Sequence, residues 1–272
     1  IFLLSALLLS LSAAAQEKIE MLFSSPEAKD VHIDMSDLTR DPGITVYRPA
    51  NPNGIGVIMC PGGGYSHQAF RHEGHDMAQW FNAQGVTYVV LKYRIPEGDF
   101  RRPLSDAEQA VRTVLSHSEY CCIYPSRIGI MGASAGGHLA SMLSTHYSDS
   151  ASRPDFQVLL YPVVTMDRSY THKGSRDNLL GKNASEEQEK RFSNELQVTP
   201  STPQAFIVLS SDDRTVPPAN SVNYYSSLIA NGVPATMHIY PVGGHGWGFR
   251  DSFKYKREWT GELEKWLREQ LK

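Results

Sequence analysis

The chain has 272 residues, of which 41% are hydrophobic and 20% charged, and its formal net charge at pH 7 is −3. This length suits one large α/β domain better than two small ones. The near-neutral charge, with no basic stripe, excludes nucleic acid and other polyanions as expected partners.

The chain begins with an apolar run, IFLLSALLLSLSAAA (1–15), that ends in three alanines. Such a run is too short to span a bilayer comfortably, and its end is typical of a cleavage site. We therefore expect residues 1–15 to be a secretory signal and residues 16–272 to be a secreted or periplasmic domain without a membrane anchor. A buried N-terminal helix is the alternative.

Short apolar runs alternate with helical patterns along the rest of the chain. Most of these runs are continuously apolar, which is typical of strands covered on both faces. Two early segments, 31–36 and 44–48, are expected to form antiparallel strands at one edge. The alternation predicts an α/β fold with a mostly parallel central sheet and helices on both faces. The remaining predicted strands are 55–60, 86–93, 127–132, 156–161, 205–209 and 235–240.

Several helix ends also carry signals. Ser105 and Glu108 have the spacing of a capping box at a helix start. Gly85 and Gly232 stand where two other helices should end. The buried stripe of a closing helix is predicted at Trp259, Leu263, Trp266 and Leu267.

The segment from about 165 to 203 breaks the alternation, because it is polar and charged and lies between two predicted strands. Long inserts of this kind are either functional lids over a site or solvent-exposed additions to the surface, and both interpretations remain open. His172 lies in this insert and is expected to face the substrate. The chain has no repeat, linker or low-complexity tract, which favours a single domain.

A segment of small residues, GASAG (132–136), follows the strand predicted at 127–132. It fits the G-x-S-x-G pattern, with a strand before it and a helix expected from about Ala135. In that setting the serine lies on a sharp turn with its hydroxyl exposed, and larger neighbours would collide with adjacent backbone. The pattern predicts Ser134 as a nucleophile, with a tight structural turn as the alternative.

Acyl transfer through a serine also needs hydrogen-bond donors for the negatively charged oxygen of the intermediate. The segment CPGGGYSH (60–67) follows another predicted strand and contains three consecutive glycines. Backbone without side chains can turn its N–H groups toward the space above Ser134. This loop is therefore a candidate oxyanion hole, with a plain turn as the alternative. Tyr65, in the same loop, is expected to contact substrate.

A serine hydroxyl is a poor nucleophile near neutral pH and needs a base. His245 is favoured because it follows the last predicted strand in a glycine-rich loop, PVGGHGWGF (241–249). Trp247 in that loop is expected to contact substrate. A carboxylate must orient the imidazole, and both Asp212 and Asp213 follow a predicted strand. All these positions lie beyond strand C-terminal ends, where open α/β sheets bind ligands.

Other histidines have simpler explanations. His138 falls within the helix after Ser134 and is expected to be a packed residue. His67, His72 and His75, with Asp76, span a loop and a helix start with no further ligand cluster nearby. No metal site is therefore predicted.

With these residues in place, the chain resembles the α/β-hydrolases. It is most similar to carbohydrate acetyl and feruloyl esterases, often called acetylxylan esterases, over most of its length beyond about residue 40. Ala133 departs mildly from this family, in which Phe often precedes the serine. The likeness is carried by PGGGY (61–65), YRIP (93–96), PLSDAEQAVRTV (103–114), YPSRIGIMGASAGGHLAS (124–141), GSRDNLLG (174–181), DDRTVP (212–217) and GGHGWG (243–248).

The resemblance implies an α/β-hydrolase fold and assigns roles within the site. The glycine loop matches an H-G-G-G segment with Pro61 in place of histidine, so the oxyanion donors would be the N–H groups of Gly63, Gly64 and Ala135. The pattern D-x-x-V-P selects Asp213 over Asp212 as the acid.

The resemblance further implies a serine esterase that removes acetyl or feruloyl groups from carbohydrate esters such as acetylated xylan, through an acyl-enzyme and without cofactor or metal. A serine peptidase of the prolyl-oligopeptidase type uses the same residue order. It usually carries a propeller domain, which is not expected in these 272 residues. A binding protein on an inactivated hydrolase fold usually lacks one of the catalytic residues. The sequence does not indicate which oligomeric state the protein adopts.

Overall fold

The computed structural model describes residues 17–25 and 31–270, so the signal predicted at 1–15 lies outside the described residues. In the described ranges eight strands form one sheet. They are β1 Glu17–Leu22, β2 Gly43–Arg48, β3 Gly54–Cys60, β4 Thr87–Lys92, β5 Ile123–Ala133, β6 Phe156–Leu160, β7 Gln204–Ser210 and β8 Ala235–Tyr240. Their order across the sheet is β1-β2-β4-β3-β5-β6-β7-β8.

Six of these strands run parallel, as the sequence predicted. Strands β3 to β8 pair in parallel, whereas β2 pairs antiparallel with β1 on one side and β4 on the other. Every residue of β3, β4 and β6 is buried. Their continuously apolar sequences are therefore explained by helices covering both faces of the sheet.

The prediction for one edge strand was wrong. Segment 44–48 lies within β2, but residues 31–36 form no strand, and β1 takes the edge instead. The carboxylate of Glu20 on β1 accepts the Ile33 N–H at 2.9 Å. The side chain of Asp34 then accepts the N–H of Ser36 at 2.8 Å, which closes a turn in place of a strand.

Helices cover both faces of the sheet. The ring of Phe156 on β6 lies 5.5 Å from that of Trp266, whereas the next side chain, Gln157, accepts a hydrogen bond from Tyr224 at 3.0 Å. Successive strand residues point to opposite faces, so the helices that carry Trp266 and Tyr224 lie on opposite sides. The helices are α1 Ala78–Ala83, α2 Arg101–Ser116, α3 Ser118–Cys121, α4 Ala135–His146, α5 Lys173–Leu180, α6 Glu186–Phe192, α7 Ala219–Ala230 and α8 Lys256–Glu269.

Two helix-end predictions were right and one was wrong. Gly85 and Gly232 follow the ends of α1 and α7 with φ of 77° and 72°. The capping box expected at Ser105 is absent, because α2 already begins at Arg101. Pro103 fits the first turn of that helix, where N–H groups have no partner within the helix. The four residues of the predicted closing stripe on α8 are all buried.

The insert at 165–203 is a folded layer that contains α5 and α6. The buried guanidinium of Arg176 on α5 pairs with Glu189 on α6 and with Asp177 at 2.5 Å. The carbonyl of Asn178 accepts the N–H of Gly98 at 2.8 Å. The Arg176 contacts join α5 to α6 within the insert, and the bond between Gly98 and Asn178 attaches the insert to the rest of the domain.

The start of α4 is packed directly on the end of β3. A Cβ placed on Gly136 would lie 2.0 Å from the carbonyl oxygen of Cys60 and 2.6 Å from that of Pro61. Both neighbours are backbone atoms, which cannot rotate away. The small residue at 136 therefore sets the distance between the helix after Ser134 and the loop that follows β3.

We expect Gly136→Ala to destabilise the protein by about 1–3 kcal/mol, because the added methyl group overpacks this contact. The matched control is Gly261→Ala in α8, where an added Cβ meets no atom within 4 Å. Alanine is the better helix former, so the control should gain about 0.5–1 kcal/mol. Urea unfolding followed by circular dichroism measures both changes, and equal effects would contradict the prediction.

Candidate active site

Ser134 occupies a strained turn between β5 and α4. Its φ of 53° and ψ of −120° lie in a region that residues other than glycine rarely adopt. The conformation is held from both sides, because the Ser134 N–H donates to the Leu160 carbonyl at 3.0 Å and its carbonyl accepts the Val163 N–H at 3.0 Å. The sharp turn lifts the hydroxyl above the ends of the parallel strands, as the G-x-S-x-G pattern predicted.

The structure brings Ser134, His245 and Asp213 into one hydrogen-bonded series. The Ser134 hydroxyl lies 2.7 Å from His245 Nε2, and His245 Nδ1 lies 2.6 Å from Asp213 Oδ2. Since Asp213 Oδ2 is an acceptor, Nδ1 carries the proton and Nε2 is free to accept one from the serine. The arrangement can transfer a proton from the serine to the imidazole while the carboxylate holds the ring in the required tautomer.

The two neighbouring aspartates have different surroundings. Asp213 is 5% exposed, and its second oxygen, Oδ1, accepts the N–H groups of Thr215 and Val216 at 2.9 and 3.0 Å. Asp212 is exposed and accepts the Gly244 N–H at 2.7 Å, a bond that lowers the pKa of its carboxyl group. Asp213 therefore contacts the imidazole, whereas Asp212 ties down the loop that carries it.

The glycine loop lies beside Ser134. Gly63 has a φ of 131°, and a Cβ at this position would lie 2.2 Å from the carbonyl oxygen of His67, so only glycine fits. Within residues 17–25 and 31–270, no hydrogen-bond acceptor is found for the N–H groups of Gly63, Gly64 and Ala135. These three donors are available to a ligand, which is what an oxyanion hole requires.

A cleft of about 340 Å³ is lined by Ser134, His245, Gly63 and Gly64. The insert forms another part of its wall through His172, which caps α5, and Asn178 within that helix. The amide of Asn178 donates to the Gly64 carbonyl at 2.8 Å, which links the insert directly to the glycine loop.

His172 presents a defined tautomer to this cleft. Its Nδ1 accepts the Ser175 N–H at 3.2 Å as the cap of α5, so the proton of the neutral ring is on Nε2. Burial, followed by the charge of His245, lowers the pKa of His172 and favours this neutral form. Its Nε2–H is therefore a donor available to a ligand.

The other two predicted substrate contacts, Tyr65 and Trp247, are largely buried side chains. Tyr65 is 1% exposed, and its hydroxyl donates to His138 Nδ1 at 3.0 Å. Trp247 is 4% exposed; its ring stacks on Phe253 at 4.1 Å, and its indole N–H donates to Ser210 at 3.1 Å. The Tyr65 ring therefore lies in the protein interior, away from the cleft beside Ser134. Trp247 is also largely buried, but it lines a neighbouring surface pocket together with His245, so its contact with substrate stays a prediction.

His138 is packed, as predicted. It is fully buried on α4, and its Nε2 donates to the Phe192 carbonyl at 2.8 Å while Nδ1 accepts from Tyr65. Burial lowers the pKa of His138 to about 4, so the ring is neutral at neutral pH. This histidine joins the helix after Ser134 to both the glycine loop and the insert.

The histidines between residues 67 and 75 contact different residues and do not converge on one point. His75 Nδ1 lies 2.9 Å from the Tyr47 hydroxyl, and His72 lies 3.2 Å from the Arg250 guanidinium. Throughout the part of the chain that the structure describes, no group of three or more His, Cys, Asp or Glu side chains has the arrangement of a metal site.

Three residues near the site were missed by the sequence analysis: Glu73, Tyr161 and Asn178. Tyr161 directly follows β6, so its position at the carboxyl end of a central strand was a usable signal. Glu73 lies in a charged loop, RHEGHD (71–76), where no spacing distinguishes it from its neighbours. Asn178 reaches the glycine loop only through the folding of the insert.

Comparisons with known proteins agree with this architecture. A family model described as alpha/beta hydrolase fold matches residues 57–249. A crystal structure of an acetyl ester-xyloside bifunctional hydrolase from Caldicellulosiruptor lactoaceticus superposes with a TM-score of 0.81 and 34% identity, covering 92% of this chain and 95% of that one.

Two curated relatives are longer proteins. An acetylxylan esterase from Xylanibacter ruminicola is 38% identical over 92% of this chain and 52% of its own length. Endo-1,4-beta-xylanase B from Butyrivibrio fibrisolvens is 34% identical over 70% of this chain and 32% of its own length. The chain thus spans about half of the first relative and about a third of the second.

None of the helices within residues 17–25 and 31–270 is long and apolar enough to cross a bilayer.

The buried imidazole of His138 should make stability depend on pH. In the folded protein the pKa of His138 is about 4, whereas in the unfolded chain its pKa is near the ordinary histidine value of 6.5. Its contribution to stability is therefore present above pH 6.5 and is lost as the pH falls toward 4. Between pH 7 and pH 5 this amounts to about 2 kcal/mol.

We expect His138→Gln to lose less unfolding free energy than the wild type between these two pH values, because glutamine binds no proton. Urea unfolding at pH 7 and pH 5 measures the difference. Equal losses in the two proteins would contradict the assignment of this pH dependence to His138.

Proposed function

Because the chain belongs to the α/β-hydrolase fold family, we propose that it is a serine esterase that removes acyl groups from carbohydrate esters such as acetylated xylan. The observation that carries this proposal is the hydrogen-bonded series from Asp213 through His245 to Ser134, at the wall of an open cleft. A buried carboxylate, an imidazole and a hydroxyl in this order supply a nucleophile and its base.

In the first half of the reaction, the Ser134 oxygen attacks the carbonyl carbon of the ester as His245 Nε2 takes the hydroxyl proton. The imidazolium that forms is stabilised by Asp213 through the Nδ1–H bond. The carbonyl oxygen becomes negatively charged and accepts hydrogen bonds from the N–H groups of the oxyanion hole. Removal of one such donor typically costs about 2.7–4 kcal/mol of transition-state stabilisation.

In the second half, the tetrahedral intermediate collapses and the sugar hydroxyl leaves with the proton from His245. Water then enters, gives a proton to the same nitrogen and attacks the acyl-enzyme, which releases the carboxylic acid and restores Ser134. Every step uses groups of the protein and of the substrate, so this scheme needs no metal or cofactor.

His172 is the residue of the insert best placed to contact the alcohol part of the ester. Its ring lines the same cleft as Ser134 and presents Nε2–H as a donor. Sugar hydroxyl and ring oxygens are acceptors, so this group suits a carbohydrate more than an apolar alcohol.

The carbohydrate ester itself is inferred from the relatives. Proteins described as an acetylxylan esterase and as an acetyl ester-xyloside hydrolase match 92% of this chain. The cleft is open to solvent, which is compatible with an acyl group attached to a larger sugar chain. We extend the proposal to acetyl and feruloyl esters of plant-type polysaccharides, and to export of the domain by the apolar run at residues 1–15.

A substrate panel tests the function. We expect the wild type to release acetate from acetylated xylan and from p-nitrophenyl acetate, and Ser134→Ala to lose both activities while keeping its circular dichroism spectrum. Feruloylated arabinoxylan and a p-nitroanilide peptide complete the panel. Hydrolysis of the peptide alone would reject the esterase, and activity retained by Ser134→Ala would reject the nucleophile.

The two aspartates form a matched pair of test positions. Asp213→Asn should lower kcat for p-nitrophenyl acetate by about 10⁴-fold, because an amide cannot hold the imidazole in the productive tautomer. Asp212→Asn removes a charge one residue away without touching His245, and its kcat should stay within about tenfold of the wild type. Steady-state kinetics at pH 8 compares them, and a larger loss at Asp212 would overturn the assignment.

A further inference from the structure

A buried carboxylate outside the hydrogen-bonded series lies against Ser134. Glu73 is 3% exposed; its Oε2 accepts the Gly62 N–H at 3.1 Å and its Oε1 accepts the Tyr161 hydroxyl at 2.7 Å. Within the described ranges, no lysine or arginine nitrogen lies within 4.0 Å of it, and the only histidine contact is His72 Nε2 at 4.0 Å. A buried charge without a cation opposes folding, so stability alone does not explain this residue.

On one side, Glu73 holds the glycine loop. Its carboxylate binds the N–H of Gly62, and the Gly62 carbonyl accepts the N–H of Ala69, whose own carbonyl accepts the N–H of Glu73 at 3.2 Å. A Cβ at Gly62 would lie 2.4 Å from Glu73 Oε2 and 3.0 Å from Ser134 Cβ. The carboxylate, the start of the loop and the nucleophile are thus in close contact, just before the predicted oxyanion donors.

On the other side, Glu73 reaches the loop that carries His245. The Tyr161 hydroxyl that donates to Glu73 also accepts the Gly248 N–H at 2.8 Å. The Tyr161 ring packs edge-on against the His245 imidazole, with ring centres 4.8 Å apart. Burial, followed by the charge of Glu73, raises the pKa of Tyr161, so its hydroxyl remains a donor.

We propose that Glu73 is a positioning residue that aligns two loops on Ser134 before substrate binds. Through Gly62 it orients the peptide that leads into the oxyanion hole, and through Tyr161 and Gly248 it fixes the loop of His245. This inference rests on the proposed function, because it takes Ser134 as the nucleophile. Loops held in place before the reaction need no reorganisation at the transition state, which is where catalysis gains most.

The test compares Glu73→Gln with Asp76→Asn. Both changes replace a carboxylate by an amide three residues apart, but Asp76 is exposed and its side chain makes no hydrogen bond among the described residues. Glutamine places an amide N–H₂ group where one of the two carboxylate oxygens accepted, so either the Gly62 N–H or the Tyr161 O–H loses its acceptor. Tyr161→Phe removes one link without changing a charge.

Two measurements are made on each protein: hydrolysis of p-nitrophenyl acetate, and the rate of labelling of Ser134 by a fluorophosphonate from pH 5 to 9. In the labelling reaction the serine oxygen bonds to phosphorus, fluoride leaves, and His245 accepts the proton, so labelling reports the nucleophile without any natural substrate. Urea unfolding controls for folding.

We expect Glu73→Gln to lower kcat and the labelling rate by about 10- to 100-fold, with KM within about threefold of the wild type. Tyr161→Phe should lose less labelling rate than Glu73→Gln, because it removes one link only, and Asp76→Asn should match the wild type. A rate loss with KM raised in parallel overturns the proposal, and so does a labelling rate of Glu73→Gln equal to that of the wild type across this pH range.

Failure of the proposed function gives a different result. If the wild-type protein neither hydrolyses esters nor is labelled at Ser134, the proposed esterase function is rejected, whatever the behaviour of the Glu73 variant. A wild type that labels at Ser134, together with a Glu73→Gln variant that labels equally fast with the same pH profile, rejects only the positioning role.

Discussion

The turn at Ser134 is the constraint on which the rest of the molecule depends, because a residue with a side chain has to adopt a positive φ where a strand becomes a helix. Such a conformation is unfavourable by about 1–3 kcal/mol and persists only when the surroundings hold it. Here the surroundings are backbone groups, since carbonyl and N–H groups of the neighbouring strand end and the loop after it bind both sides of the serine peptide. The helix can approach them so closely only because Gly132, Gly136 and Gly137 have no side chains. The small residues around one hydroxyl are therefore a consequence of exposing it.

Three carboxylates surround the turn, and their environments separate their roles. Asp213 is buried and binds the imidazole, Asp212 is exposed and binds a backbone N–H of the histidine loop, and Glu73 is buried between two loops. Burial strengthens an electrostatic interaction and also raises the penalty for leaving a charge unsatisfied. Each buried carboxylate accordingly receives hydrogen bonds at both oxygens. The network makes the geometry of the cleft a property of several elements that are distant in the sequence.

Much of this site could be predicted because the fold places its main residues by a simple rule. Parallel strands end at the same edge of the sheet, so residues directly after β5, β7 and β8 must come near one another. Ser134, Asp213 and His245 obey this rule and needed only their motifs to be identified. Tyr161 obeys it too, but it has no motif. Tyr65 shows the opposite case, since its ring points into the core although the residue lies next to the glycine motif.

The predictions for the edge strand and for the start of α2 failed for a similar reason, because a local sequence pattern does not determine which structure a segment adopts. Residues 31–36 have the composition of a strand, but β1 occupies the edge of the sheet instead. Ile33 donates its backbone N–H to the side chain of Glu20 on β1 and does not pair with a neighbouring strand. The spacing of Ser105 and Glu108 satisfies a capping pattern, yet the helix had already begun one turn earlier around Pro103. A local sequence pattern indicates which secondary structures a segment can form, and competition with other segments decides which of these structures it adopts.

The sequence by itself determined the α/β architecture, the six parallel strands and the identity of the serine, histidine and candidate acids, because apolar periodicity and glycine patterns are local properties of the chain. The resemblance to a known family selected Asp213 over Asp212, and the structure places Asp213 against the imidazole. Only the tertiary structure decided that the insert packs as a wall of the cleft and that Glu73 joins the glycine loop to the histidine loop. These are contacts between residues separated by many positions. Their distances depend on how helices and loops pack on the sheet, which no local pattern specifies.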